Sequence, residues 1–131
     1  MLQTKSILSP MLDSDGSRIS IMSRHTLDDG ITPNPLITRD KFAIHLPQLA
    51  PSPKLIGDYY KRNLPWEEFE ARYLQEMRAE PAREFVRFLS RMSLKTVITI
   101  LCIEEAADYC HRRLLAEECK RLEPEIKITH L

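Results

Sequence analysis

Neither sign of charge is in excess in this chain: nineteen lysines and arginines are matched by nineteen aspartates and glutamates over 131 residues. The balance removes the bulk electrostatic case for nucleic acid or an anionic membrane as partner. Long apolar runs are missing too. The longest, residues 97–103, has the length of a strand and falls far short of the roughly 20 residues that span a bilayer. No apolar segment follows Met1, so no secretory signal is expected, and the expected location is cytoplasmic. Cysteines number only three, Cys102, Cys110 and Cys119. An odd count suits reduced thiols better than a closed disulfide framework. Internal repeats and low-complexity tracts are absent as well.

What is present fits one globular domain spanning 1–131, with 43% hydrophobic and 29% charged residues. Residues 4–8 read as a short strand closed by Pro10. Asp13-Ser14-Asp15-Gly16 supplies turn chemistry before a strand over 18–22, so two strands joined by a turn or short loop are expected. A long loop over 24–40 leaves the end of that strand, and long loops in compact domains often carry function. Residues 41–49 suit a short helix or a strand equally. Ser52 is placed to cap a helix that starts at Pro53 and ends before Asn63-Leu64-Pro65. Trp66, Phe69, Tyr73, Leu74 and Met77 recur at three and four, which predicts an amphipathic helix over 65–79. Pro81 opens another, with Phe85, Phe88, Leu89 and Met92 as its apolar stripe. The near-continuous apolar run 96–102 reads as a strand buried on both faces. A helix over 109–122, capped by Asp108, and a strand over 125–131 complete a strand–helix–strand crossover. The expected class is α/β: a small, mostly parallel central sheet flanked by helices.

Three segments, in order, carry a family resemblance. They are Asp15-Gly16 with Met22-Ser23-Arg24-His25-Thr26; Leu49-Ala50-Pro51-Ser52-Pro53-Lys54-Leu55 leading to Trp66-Glu67-Glu68-Phe69 and Arg72-Tyr73; and Leu101-Cys102-Ile103-Glu104 with Cys110-His111-Arg112-Arg113-Leu114-Leu115-Ala116-Glu117. Together they resemble the domain-of-unknown-function family 488. The resemblance implies a central sheet flanked by helices and brings no activity with it. The family's better-known branch has Asp-Arg and Trp-Pro-Arg-Gly where this chain reads Ser23-Arg24 and Leu27-Asp28-Asp29-Gly30. Roles of those missing residues are not carried over.

The chemistry-bearing residues gather where the best strand ends and the last helix starts. In open α/β sheets, ligands bind beyond the carboxyl ends of the strands, where helix N-termini offer free N–H groups. Basic residues in a first helical turn oppose the helix dipole, and His111 and Arg112 are easier to understand if an anion, or a carboxylate such as Glu104 or Glu105, offsets them. The leading reading is therefore a site for a phosphorylated small molecule or nucleotide, with Arg24, His25, His111 and Arg112 as ligand-binding residues. Arg24 is expected to face His111 across the sheet edge. A second reading is a thiol enzyme with Cys102 or Cys110 as nucleophile, His111 as base and Glu104 as a further catalytic candidate. A third is a non-catalytic interaction module, such as a homodimer. No metal site is expected: Cys102, Cys110, His111 and Glu104 are zinc-ligand types, but neighbouring helical residues diverge by about 100°. Trp66 and its stripe are read as core, and Glu76 among the solvated helix charges.

Overall fold

The computed structural model describes residues 1–131. Five strands, β1 (Leu2–Ser6), β2 (Ser17–Ser20), β3 (Ile44–His45), β4 (Ile98–Cys102) and β5 (Ile128–His130), form one sheet in the order β3-β2-β4-β1-β5. Every neighbouring pair is parallel. Four helices, α1 (Pro53–Lys61), α2 (Trp66–Met77), α3 (Ala82–Lys95) and α4 (His111–Leu122), complete the expected α/β class. No helix is long and apolar enough to cross a membrane.

The period of two along each strand divides the sheet into unlike faces. Leu2, Ile19, Ile98 and Ile100 point into one continuous core with Leu55 of α1, Tyr73 of α2, Val86 of α3 and Leu114 of α4. All four helices thus contribute to one layer. The other face presents Gln3, Lys5, Arg18 and Thr99, all buried. Connecting segments cover it: Gln3 donates to the Ser14 carbonyl (2.9 Å), Arg18 to that of Lys41 (2.7 Å) and Thr99 to that of Asp15 (2.6 Å). Gly16 makes this crossover possible. Its φ is +62°, and a Cβ there would lie 2.2 Å from the Val97 carbonyl oxygen.

The structure resolves what the sequence left open and corrects part of the α3 stripe. β4 lies between β1 and β2 and pairs with both. The ambiguous segment 41–49 is a two-residue strand between 3-10 turns at Arg39–Lys41 and Pro47–Leu49. In α3 the buried face is Ala82, Val86, Leu89, Ser90 and Ser93, while Phe88 is exposed. The two serines bury at low cost because each hydroxyl bonds a carbonyl of its own helix, Ser90 to Val86 (2.7 Å) and Ser93 to Ser90 (2.9 Å). The crossover from β4 through α4 to β5 does join one parallel sheet, with β1 between the two strands.

The pairing of α1 with α2 sets the geometry of the site. Ser52 caps α1 as expected, accepting the Leu55 N–H at 3.2 Å. Glu76 of α2 is not a solvated charge: its carboxylate accepts the Ser52 N–H (2.8 Å) and hydroxyl (2.6 Å). At the other end Asp58 accepts from Arg62 (2.6 Å) and Arg72 (2.8 Å). Those two guanidiniums, Arg72 foremost, hold its carboxyl far below the usual range. These contacts fix α1, and with it Tyr59 and Tyr60, against the rest of the fold.

Candidate active site

The carboxyl ends of β1, β2 and β4 meet at one sheet edge, where Ser6 lies opposite Cys102 and the Ile21 N–H bonds the Leu101 carbonyl (3.0 Å). A cleft opens beyond this edge. Its floor holds Cys102, Glu104, Cys110 and His111, and Tyr59, Tyr60, Trp66, Phe69 and Tyr109 supply aromatic wall. This is the strand-end position at which parallel α/β sheets bind ligands.

The geometry of the floor follows from one hydrogen bond. His111 Nε2 lies 3.0 Å from the Ile21 carbonyl oxygen. A carbonyl only accepts, so Nε2 carries a proton, and Nδ1 is the atom at which the ring gains or loses one. Nδ1 lies 3.8 Å from Cys102 Sγ. The same sulfur lies 3.4 Å from Glu104 Oε2, which is also 3.6 Å from Cys110 Sγ. Glu104 Oε1 accepts the Tyr60 hydroxyl at 2.7 Å.

The electrostatics follow from these neighbours. Burial disfavours the charged imidazole, but Cys110, the Ile21 carbonyl and Glu104 outweigh it and hold His111 above its ordinary pKa. Burial likewise acts to raise the Glu104 carboxyl; Tyr60, its own backbone N–H, the Cys102 thiol and His111 outweigh it and hold it low. Nearby Cys102, then burial, push the Cys110 thiol far up, against the pull of His111. An Arg112 N–H sits 3.5 Å from the Cys110 sulfur and favours its thiolate, but does not reverse that direction. Cys110 therefore stays a thiol.

Three expected placements change. Helix α4 starts at His111; Cys110 is its N-cap, with extended backbone (φ −131°, ψ 140°), and Asp108 does not cap it. The divergence of successive helical side chains therefore does not separate Cys110 from His111. Their ligating atoms and Cys102 Sγ all lie within 4.8 Å of one another, a spacing a metal ion could bridge. Arg112 is fully buried and does not line the cleft. It donates to the carbonyls of Glu104 (2.7 Å) and Glu105 (3.1 Å) and so fixes the loop that carries Glu104. His25 turns from the cleft to Ser20 Oγ (2.7 Å) and packs on His45 at 4.2 Å between ring centroids. Burial, then His45, lowers its pKa. Arg24 does line the cleft with His111; its side chain is exposed, with one N–H on the Gly30 carbonyl (3.2 Å). Cys119 lies in the core, where burial pushes its thiol up to about 12.

The aromatic wall is what the sequence reading missed. Tyr59 and Tyr60 are consecutive on a helix, about 100° apart, so both cannot enter the core. Tyr59 packs edge-on against Trp66 (5.8 Å), and Trp66 edge-on against Tyr109 (5.4 Å). Tyr60 and Tyr109 are 61% and 65% exposed, so ring surface lies open at the mouth.

Fold and site define a parallel α/β protein with a strand-end cleft floored by two thiols, an imidazole and a carboxylate. The family model described as the active DUF488-N3 subclade matches residues 2–121, and the chain belongs to that domain-of-unknown-function family. No curated protein and no solved structure matches it.

Proposed function

We propose that this protein is a thiol-dependent enzyme with Cys102 as nucleophile and His111 as general base, acting on a flat, unsaturated substrate seated against the aromatic wall. The observation that carries the proposal is the His111 tautomer: Nε2–H on the Ile21 carbonyl leaves Nδ1 directed at Cys102 Sγ, 3.8 Å away. A base held in orientation by a third group beside a nucleophile is the common arrangement of activated thiols. The family description, with its word active, is in keeping with it.

In the reaction the Cys102 proton passes to His111 Nδ1 as sulfur attacks an electrophilic carbon. The S–C bond forms, the bond to the leaving group breaks, and that group departs with the proton from Nδ1. Water then attacks the same carbon, gives a proton to Nδ1, and the S–C bond breaks as Cys102 regains a proton. Glu104 favours the transient imidazolium, and Tyr60 orients the carboxylate. An anionic substituent, such as the phosphate of a nucleotide, would meet Arg24 at the rim. The chemistry needs a reducing compartment such as the cytoplasm, where Cys102 and Cys110 remain thiols.

Two readouts test this. His111→Ala is expected to slow modification of Cys102 by iodoacetamide by about a hundredfold, the scale of a positioned general base. Trp66 is the sole tryptophan and lines the cleft, so binding of a planar nucleotide should quench intrinsic fluorescence and protect Cys102. Equal rates in the wild type and His111→Ala would refute the assignment of the base.

A further inference from the structure

We infer that Cys102, Cys110 and His111, with Glu104 beside the two sulfurs, form a binding site for a thiophilic divalent cation, zinc foremost, whose occupancy masks the thiol centre. The argument starts from the donor atoms. Two sulfurs and His111 Nδ1 lie within 4.8 Å of one another, and Glu104 Oε2 lies 3.4 and 3.6 Å from the sulfurs. Around one tetrahedral zinc, with bonds of about 2.3 Å to sulfur and about 2.0–2.2 Å to nitrogen or oxygen, such donors stand roughly 3.4–3.8 Å apart. The separations from Cys102 Sγ to Glu104 Oε2 and His111 Nδ1, 3.4 and 3.8 Å, and from Cys110 Sγ to Glu104 Oε2, 3.6 Å, fall in that range.

The surroundings suit a metal as well. Ligating histidines usually donate their other ring N–H to a carbonyl, as His111 does to Ile21, and ligating carboxylates are themselves hydrogen-bonded, as Glu104 is by Tyr60. Arg112 holds the backbone of Glu104, and Cys110 has the extended N-cap geometry that turns its sulfur toward Cys102. Both cysteines are buried, yet the cleft gives a path from solvent. Two thiolates and an imidazole select zinc over calcium or magnesium, which prefer oxygen ligands. A zinc-bound Cys102 sulfur shares electron density with the metal, which lowers its nucleophilicity, and the adjacent Nδ1 is occupied and no longer available as a base. Zinc and substrate chemistry therefore exclude one another at this centre.

The test uses the full-length protein stripped with a chelator. One cobalt(II) per chain should give the intense visible bands of a tetrahedral site and the ultraviolet charge-transfer band of two thiolates. One zinc should displace it. Zinc should also protect Cys102 and Cys110 from iodoacetamide, and excess chelator should restore labelling. Cys110→Ser should halve the charge-transfer band and weaken zinc binding by about tenfold or more. Failure of the wild type to bind cobalt or zinc stoichiometrically overturns the inference, as does an octahedral spectrum without thiolate bands. Free Cys102 labelling in zinc-saturated protein does so too. Metal-free protein whose Cys102 labels rapidly while zinc does not bind would leave the thiol enzyme standing; tight zinc with an inert metal-free Cys102 would do the reverse.

Discussion

Two clusters of titratable side chains are buried on this sheet, and they differ in what surrounds them. On the face without helices, Asp15 accepts from Lys5 (2.9 and 3.0 Å), Arg18 (2.6 Å) and the Leu12 N–H (3.1 Å). Burial acts to raise its carboxyl, and those partners outweigh it and hold it low. At the carboxyl edge, Glu104, Cys110 and His111 are perturbed by burial and by their neighbours. Each region even has one buried arginine nitrogen without a partner, Nη2 of Arg18 and Nε of Arg112. Burial, shifted pKa values and an orphaned N–H therefore do not tell the two apart. Access and balance do. The Asp15 carboxylate is matched by two cations and sealed by the 7–16 connection, so its task is to lock that crossover. The Cys102 cluster brings four electron-pair donors together at the floor of an open cleft, with Arg112 its nearest cation.

That contrast can be broken most forcefully at Asp15. Removing one member of a buried charge network leaves uncompensated charge behind, so Asp15→Asn should destabilise the fold by roughly 3–5 kcal/mol in urea unfolding. The folded fraction should keep the Cys102 alkylation rate of the wild type. A slowed Cys102 would mean that the two clusters are one functional unit.

Arg112→Met asks whether Arg112 belongs to the lock or to the chemistry. It strips donors from the Glu104 and Glu105 carbonyls, and the expected loss is about 2 kcal/mol in urea, the scale of buried polar groups left unsatisfied. Binding of inorganic phosphate, followed by thermal shift, should not depend on Arg112. Phosphate stabilisation lost in this variant would return Arg112 to ligand binding.

A third locking element lies away from both clusters. Glu118 is chelated by Arg78 (2.9 and 3.0 Å) and Arg121 (2.9 and 2.8 Å). Burial acts to raise its carboxyl, but the two guanidiniums hold it down at about 2 instead of 4.5. Because the folded value is depressed, its stabilisation is present above about 4.5 and lost as the pH falls to about 2. Melting temperature should drop through that window, and Glu118→Gln should flatten the drop.

Tyr60→Phe is the mildest change. It removes one hydroxyl from a half-open site, and the cost in urea should be about 0.5–1 kcal/mol. Its effect should appear in Cys102 reactivity, since Glu104 loses its orienting partner.

Much of this was legible in the sequence, for identifiable reasons. The run ending at Cys102 can only be a buried strand, and Ser52-Pro53 is a helix start with a mechanism. Parallel strand ends followed by a helix then place Cys102 and His111 together. Other features depend on partners remote in sequence. In α3 only Phe88 leaves the expected stripe: Phe85, Leu89 and Met92 pack on the core, and Ser90 and Ser93 satisfy their own hydroxyls and can be buried beside them. Arg112 looks like a free cation in a first turn, and only the fold of the 103–105 loop shows what it holds. The cleft needs Tyr60 and Tyr109, 49 positions apart, to meet over one floor.

The most direct test of the account is site-resolved alkylation of the native, metal-free protein by iodoacetamide, with peptide mapping over time. Cys102 should be modified first, Cys110 far more slowly, and Cys119 only on unfolding. Modification of all three thiols at one rate, appearing only as the protein unfolds, would contradict the claim that the strand-end cleft holds a reactive thiol.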